Sequence, residues 1–396
     1  MTALLVLCLL LLLHAYALYP VSLYAAVKLR KADRRSFADV PDDELPTVSV
    51  IVAAYNEESV LEEKIRNIAA LDYPAGKIEA LIGSDGSSDR TAEILRAHEG
   101  EVRGFVFDAN RGKAAVLDDL VREAKGEILL FCDANTMLLP NAPRELARAF
   151  RDERVGCASG RLMLRSERSG AEAALSGGES LYWSVESAVK SLEGALGTLM
   201  GANGALFALR RGCWTELPTE RTVMDDFYST TAILPKGWRS VFVPTAIGLE
   251  SASAESAGEF RRKVRIGRAN FNYIRSYLPL LDPRRPLVAY AFFGHKLLRW
   301  LSPFLLVLCL LFSAAGLFTE AVQSLCGIAL ALQLLFHAAA LAGWSLERMG
   351  LRCGPLRAPY YFDMMNLALL VGFLQSFRST GGGGWERVAR EGGSDG

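Results

Sequence analysis

Charge is segregated along this chain. Residues Met1 to Val27 carry no charged side chain, and neither do Leu301 to Phe318 or Ala321 to Ser345. About 20 apolar residues cross a bilayer as a helix, and backbone in hydrocarbon must satisfy its own hydrogen bonds. The two ends therefore read as membrane helices, and the charged stretch between them as a folded domain outside the lipid. Lys28, Arg30, Lys31, Arg34 and Arg35 follow the first run, a flank that favours the cytoplasmic side. A cleaved signal peptide is the competing reading, since Ala15-Tyr16-Ala17 has the small residues of a cleavage site. The start lacks Lys and Arg, and the basic cluster comes after the apolar run, which favours an anchor over 1–27 and a basic linker over 28–45.

The later runs read as a transmembrane hairpin with Glu320 in its connection, and Glu347, Arg348, Arg352 and Arg357 form a basic-leaning return loop. Residues 284–300 mix aromatic side chains with His295, Lys296 and Arg299, the pattern of an interfacial helix. Within the membrane region 301–378, Tyr360 to Phe377 is interrupted by Asp363 and Asn366, which leaves spanning, re-entrant and flat placements open. Residues 379–396 begin with a Gly381 to Gly384 joint and read as a flexible tail.

Composition excludes several classes. Lys plus Arg is 44 and Asp plus Glu is 44, so the chain lacks the basic excess of a nucleic-acid binder. Apolar residues at 51% are too many for disorder. Seven Cys without a CxxC pair, and four His without HxxxH, argue against a disulfide framework and a zinc site of the usual spacing. A reduced compartment fits best.

The domain at 46–283 opens with alternating strand and helix patterns: Val48 to Ala54, Ile78 to Ser84, Val102 to Phe107 and Glu127 to Cys132 as strands, with helices between. Such alternation predicts an α/β fold with a mainly parallel sheet, whose ligands sit beyond the carboxyl ends of the strands. Those ends carry Tyr55-Asn56-Glu57, Asp85-Gly86-Ser87-Ser88-Asp89 and Asp133-Ala134-Asn135, while Asn110-Arg111-Gly112-Lys113 opens a helix. Carboxylates suit imide N–H or ribose hydroxyls. A lysine at a helix start suits phosphate. An Asp with a nearby amide oxygen suits Mg²⁺ or Mn²⁺ on a diphosphate. Taken singly, each motif is also a common turn; their ordered conjunction points to a nucleoside diphosphate ligand.

These residues resemble a membrane-anchored family 2 glycosyltransferase of the GT-A fold, the group that includes cellulose, chitin and hyaluronan synthases. The resemblance runs from Val48 to about Arg275 and on into the membrane segments. It implies that Tyr55, Asn56, Glu57, Asp85, Lys113 and Asp133 line the nucleotide-sugar pocket. Asp133-Ala134-Asn135 stands for the Asp-x-Asp metal motif, with Asn135 at the position usually held by the main ligand. Gly201-Ala202-Asn203-Gly204 resembles the Gly-rich segment beside sugar and acceptor, which assigns Gly201, Asn203 and Gly204 there. Met224-Asp225-Asp226 resembles the Glu-Asp motif, whose second carboxylate, here Asp226, is the catalytic base. Arg265 matches the Arg of Gln-x-x-Arg-Trp, while Arg262 replaces Gln and Ile266 replaces Trp. The missing Trp argues against long-polymer synthesis, or at least against the usual acceptor site. Tyr182, Trp183 and Glu186 face the acceptor or pack the domain, with packing the better account. Trp385 and Arg390 resemble the closing Trp-x-x-x-x-Arg pattern.

The function implied is an inverting transfer from a nucleotide sugar, with a UDP-sugar expected, to a lipid or lipid-linked glycan. It would occur at the inner (plasma) membrane, with the catalytic domain cytosolic and Mg²⁺ or Mn²⁺ as cofactor. The alternatives are a catalytically inactive membrane scaffold or nucleotide-sugar sensor, and a nucleotidyltransferase. The latter is disfavoured because the first strand leads into an acidic segment with no Gly.

Overall fold

A computed structural model describes residues 2–30, 40–165, 178–251, 256–319, 322–351 and 353–378. Lys31, Arg34, Arg35, Glu320, Arg352 and the tail with Trp385 and Arg390 lie outside the described residues, as do the side chains of Tyr182 and Trp183.

Helix α1 (Thr2–Leu29) is long and apolar enough to cross a membrane, and it contains a π-helical turn at His14–Leu18. The domain follows with strands β1 (Val48–Ala54), β2 (Ile78–Asp85), β3 (Arg103–Phe107) and β4 (Ile128–Cys132). Helices α2 (Leu61–Ala69), α3 (Thr91–Ala97) and α4 (Lys113–Glu123) alternate with them. Then come β5 (Met137–Leu138), α5 (Ala142–Ala149), β6 (Val155–Arg165), α6 (Gly178–Leu196), β7 (Leu206–Arg210), α7 (Asp225–Thr231), β8 (Arg239–Ser251) and α8 (Ser256–Asn272).

One eight-stranded sheet runs β3-β2-β1-β4-β7-β6-β8-β5. It is parallel through β3, β2, β1 and β4, where the sequence alternation is clearest. Beyond β4 it is mixed: β7 pairs antiparallel with β4 and β6, and β5 antiparallel with β8, while β6 and β8 are parallel. Alternate residues of β1 serve two cores. Val48, Val50 and Val52 pack with Leu61, Ile65 and Leu146 on one face; Ile51 and Ala53 pack with Val116, Leu117 and Leu120 on the other. A strand buried on both faces reads as a near-continuous apolar run rather than an alternation; the one polar residue of Val48–Ala54, buried Ser49, donates to Glu79 Oε1 at 2.7 Å and accepts from Gly126 N at 2.8 Å.

The second core also contains Phe292 and Trp300, which belong to α9 (Pro286–Gly316). The structure here differs from the expected division at residue 300. The 284–300 segment is not a separate interfacial helix; from Pro286 it continues unbroken through a π-helical turn at Phe292–Leu297 into the span. Of its aromatic residues, Phe292 and Trp300 are buried against the domain, while Phe293 is exposed.

Helix α10 (Gln323–Arg348) is the third helix of spanning length and apolarity among the described residues. Helix α11 (Arg357–Ser376) lies against α8: a Cβ on Gly372 would sit 2.7 Å from the backbone of Val264 and Arg268. It also packs on α10, where Gly343 closes on Leu356 and Tyr360. The Tyr360–Phe377 segment thus bridges domain and hairpin.

Candidate active site

Four sequence-distant segments meet beyond the carboxyl ends of β1, β2 and β4. Gly112, with φ of +90°, turns the chain into α4, so that Lys113 is its first residue. Its Nζ donates to Asp133 Oδ1 at 2.9 Å and pairs with Asp225 Oδ2 at 3.1 Å. Burial pulls the lysine pKa down, but the two carboxylates more than reverse this and hold it well above the usual range. Lys113 is therefore a fixed cation.

Asp226 follows Asp225 on the first turn of α7. Its Oδ1 is enclosed and has no hydrogen-bond partner among the described residues. Burial and the neighbouring Asp225 charge push its pKa up, Lys113, the Phe227 N–H and Lys190 restrain it, and the result is about 6. A carboxylate in that range is ionised at neutral pH yet basic enough to take a proton.

The glycine segment forms the wall beside it. Gly201, at φ +92°, lies against the Phe227 ring, and a Cβ on Gly204 would sit 2.9 Å from Asp226 Oδ2. Ala202 N donates to Thr230 Oγ1 at 3.2 Å, Asn203 N to Ser159 Oγ at 2.9 Å, and Lys190 Nζ to Asn203 Oδ1. Gly204→Ala must displace the carboxylate; we expect at least roughly a tenfold loss of turnover, since small misplacements at a reacting centre cost that much or more. Steady-state assays on the folded variant check this.

Asp85 is fully buried, and its oxygens accept the backbone N–H groups of Arg111 at 2.9 Å and Gly112 at 2.8 Å. These bonds shape the loop that presents Lys113. Asn56, at φ +54°, accepts from Ser88 N at 2.8 Å through Oδ1, while its own N–H donates to Ser87 Oγ at 3.1 Å. Glu57 N donates to Thr91 Oγ1 at 2.9 Å. Asn56 and Glu57 thus lock the first strand-end loop to the second, and Tyr55 is half-buried at the end of β1.

Arg265 is exposed on α8. It lies between Arg262, which feels the Glu250 charge, and Asn272, whose Nδ2 donates to Thr222 O at 3.0 Å beside the start of α7. Arg262 itself forks onto Glu259 at 2.8 and 3.0 Å.

Asn135 donates through Nδ2 to Glu250 Oε1 at 2.8 Å, which turns its Oδ1 the other way. Among the described residues no three His, Cys, Asp or Glu side chains group as a metal site. Asp133 and the Asn135 amide are hard oxygen donors, and Mg²⁺ or Mn²⁺ is commonly held by one or two such groups plus substrate phosphate. The donor set fits an ion that arrives with its diphosphate.

Several residues of the site carry no motif. Lys64 is fully buried and donates to Thr136 O at 2.5 Å, pinning the loop after β4. Lys190 approaches Asp226 from α6. Glu186, Lys190 and Glu193 recur at helical spacing, which is the one sequence signal that could have found them.

A mixed sheet with nucleotide-side loops of this kind is a GT-A glycosyltransferase fold. Residues 49–196 match the glycosyl transferase family 2 description. The mannosyltransferase PcManGT of Pyrobaculum calidifontis, solved with GDP-Man and Mn²⁺, superposes with a TM-score of 0.64 over 94% of this chain and 98% of that one. At 21% identity, this likeness concerns the fold. The poly-beta-1,6-N-acetyl-D-glucosamine synthase of Staphylococcus aureus (strain COL) is 33% identical over 135 residues, 33% of this chain and 32% of that protein. The Staphylococcus epidermidis synthase is 28% identical over 150 residues, 37% of this chain and 36% of that protein. The matched segment spans about a third of these relatives' length.

Proposed function

We propose that this protein is an inverting glycosyltransferase that moves a sugar from a nucleotide sugar to a hydroxyl of an acceptor held at the membrane. One observation carries the reading: the Asp226 carboxylate, raised to about 6, has an unpartnered buried oxygen beside the Lys113–Asp133–Asp225 cluster. Asp226 takes the acceptor proton as the oxygen attacks the anomeric carbon from the face opposite the diphosphate. Lys113 offsets charge on the departing nucleotide, the role that the family resemblance also gives to Arg265 on α8. A divalent ion bound by Asp133 and Asn135 would add Lewis-acid stabilisation of the diphosphate.

The named activities of the relatives support a nucleotide-sugar donor and a glycan product, and a UDP-sugar is the donor we favour. The basic residues Lys28, in the last turn of α1, and Arg30, just after it, favour a cytosolic domain in a multi-pass membrane protein. A cavity of about 530 Å³, lined by Tyr16, Leu306, Leu332, Phe336, His337 and Phe362, opens among the spanning helices and supports a lipid-linked acceptor.

The test is release of nucleoside diphosphate by the full chain in detergent across a panel of nucleotide sugars, with and without Mn²⁺. No release from any donor would sink the proposal. Within it, Asn135→Ala should weaken Mn²⁺-dependent nucleotide affinity by at least roughly tenfold, because even residues that only orient metal ligands are worth 10–100-fold. Calorimetry with and without Mn²⁺ checks this; equal affinities would remove Asn135 from the metal's donors.

A further inference from the structure

Glu193, on α6, is fully buried, and three donors converge on it. Tyr19 Oη reaches Oε1 at 2.5 Å, His295 Nδ1 lies 2.7 Å from the same oxygen, and Met200 N donates to Oε2 at 3.0 Å. These groups come from three places: the N-terminal membrane helix α1, the membrane helix α9, and the segment that runs through Gly201 to Gly204 along Asp226. On its other side, His295 Nε2 faces Glu186 at 3.1 Å, and Arg299 Nη1 donates to Glu186 at 2.9 Å.

The backbone is built around this junction. Tyr19 follows directly on the π-turn of α1, and His295 sits inside the π-turn of α9. Such turns are rare and recur at functional sites. Gly294 admits the tyrosine ring: a Cβ there would lie 2.3 Å from Tyr19 Cδ2. Only a carboxylate can accept all three donors; glutamine offers a single oxygen and places N–H groups against the rest.

We propose that Tyr19, Glu193 and His295 form a positioning tie through which the membrane helices hold the Met200–Gly204 segment against Asp226. The N-terminal helix is then part of the catalytic apparatus as well as an anchor. The catalytic consequence rests on the function proposed above; the tie itself does not. Released from Glu193, the Met200 amide loses its acceptor, and the wall that fixes the Asp226 carboxylate at Gly204 loosens.

The experiment uses the full chain in detergent with three variants. Tyr19→Phe removes one donor and keeps the ring. Gly294→Ala evicts the ring. Ser22→Ala breaks the 2.6 Å hydrogen bond between Ser22 and Tyr290, which joins the same two helices one turn from Tyr19, and its bond to Tyr19 O, while leaving every contact of Glu193 in place. Hydrogen exchange of peptides covering 197–205 is read beside kcat and the donor KM. Tyr19→Phe and Gly294→Ala should speed exchange there and lower kcat by roughly tenfold with donor KM unchanged, as expected for misplaced rather than missing groups. Ser22→Ala should do neither. Unchanged exchange in both tie variants overturns the proposal. So does faster exchange with unaltered kcat, or an equal fall in kcat for Ser22→Ala. A wild-type protein inactive toward every donor would refute the glycosyltransferase reading, while exchange would still decide the tie.

Discussion

Asp226→Asn is expected to lower turnover by about 10² to 10⁴, the usual worth of a general base, with nucleotide binding retained. The amide keeps the shape of the carboxylate beside Gly204 but cannot take the acceptor proton. It also removes a charge whose burial raises its own pKa, so the melting temperature should not fall. In the wild type, the required form is the ionised one. Because the pKa stands at about 6 rather than the ordinary 3.8, kcat/KM should fall with unit slope as pH drops through about 6, some two units earlier than for an exposed aspartate. Asn at this position should abolish that acidic limb along with the activity. A flat wild-type profile across the limb, or turnover retained in the variant, would show that another group is the base.

Lys113→Ala should produce the second large effect. The ammonium holds together Asp133 and Asp225 and also restrains the Asp226 pKa. Without it, three carboxylates share the cleft with no cation at its centre. Hydrogen bonds to charged groups contribute about 1.5–3 kcal/mol each, so loss of this hub should weaken donor affinity by roughly 10²-fold. The acidic limb should shift upward, because a positive neighbour has gone. Asp225→Asn gives the opposite sign: it removes the negative neighbour that raises Asp226, so its limb should move down. Donor titrations and pH profiles of the two variants check the pair. If both limbs moved the same way, the cluster would not be one electrostatic unit.

The parallel half of the sheet was legible because a strand buried on both faces is apolar along nearly its whole length and ends where polar loops begin. Val48–Ala54 and Ile128–Cys132 show this, and Asp133 and Lys113 were found at the loop and helix start so defined. The mixed half was less legible. Antiparallel β7 inserts between β4 and β6, a pairing between residues about 80 positions apart on β4 and β7 that no local pattern announces. Asp85 was found at its strand end, but its bonds to the backbone of Arg111 and Gly112 were not, because a carboxylate there looks the same in the sequence whatever donors the folded loops bring to it.

By itself, the sequence determined that long uncharged runs flank an alternating α/β centre, and which oxygen-bearing residues stand at its strand ends. Those are consequences of local periodicity and of the cost of burying charge in hydrocarbon. Only the tertiary structure decided that α9 runs unbroken from the domain core into its span, that Lys113 sits between Asp133 and Asp225, and that Tyr19 meets Glu193. These contacts join residues up to 174 positions apart, and their strength comes from burial and from mutual hydrogen bonding that exist only once the helices have packed.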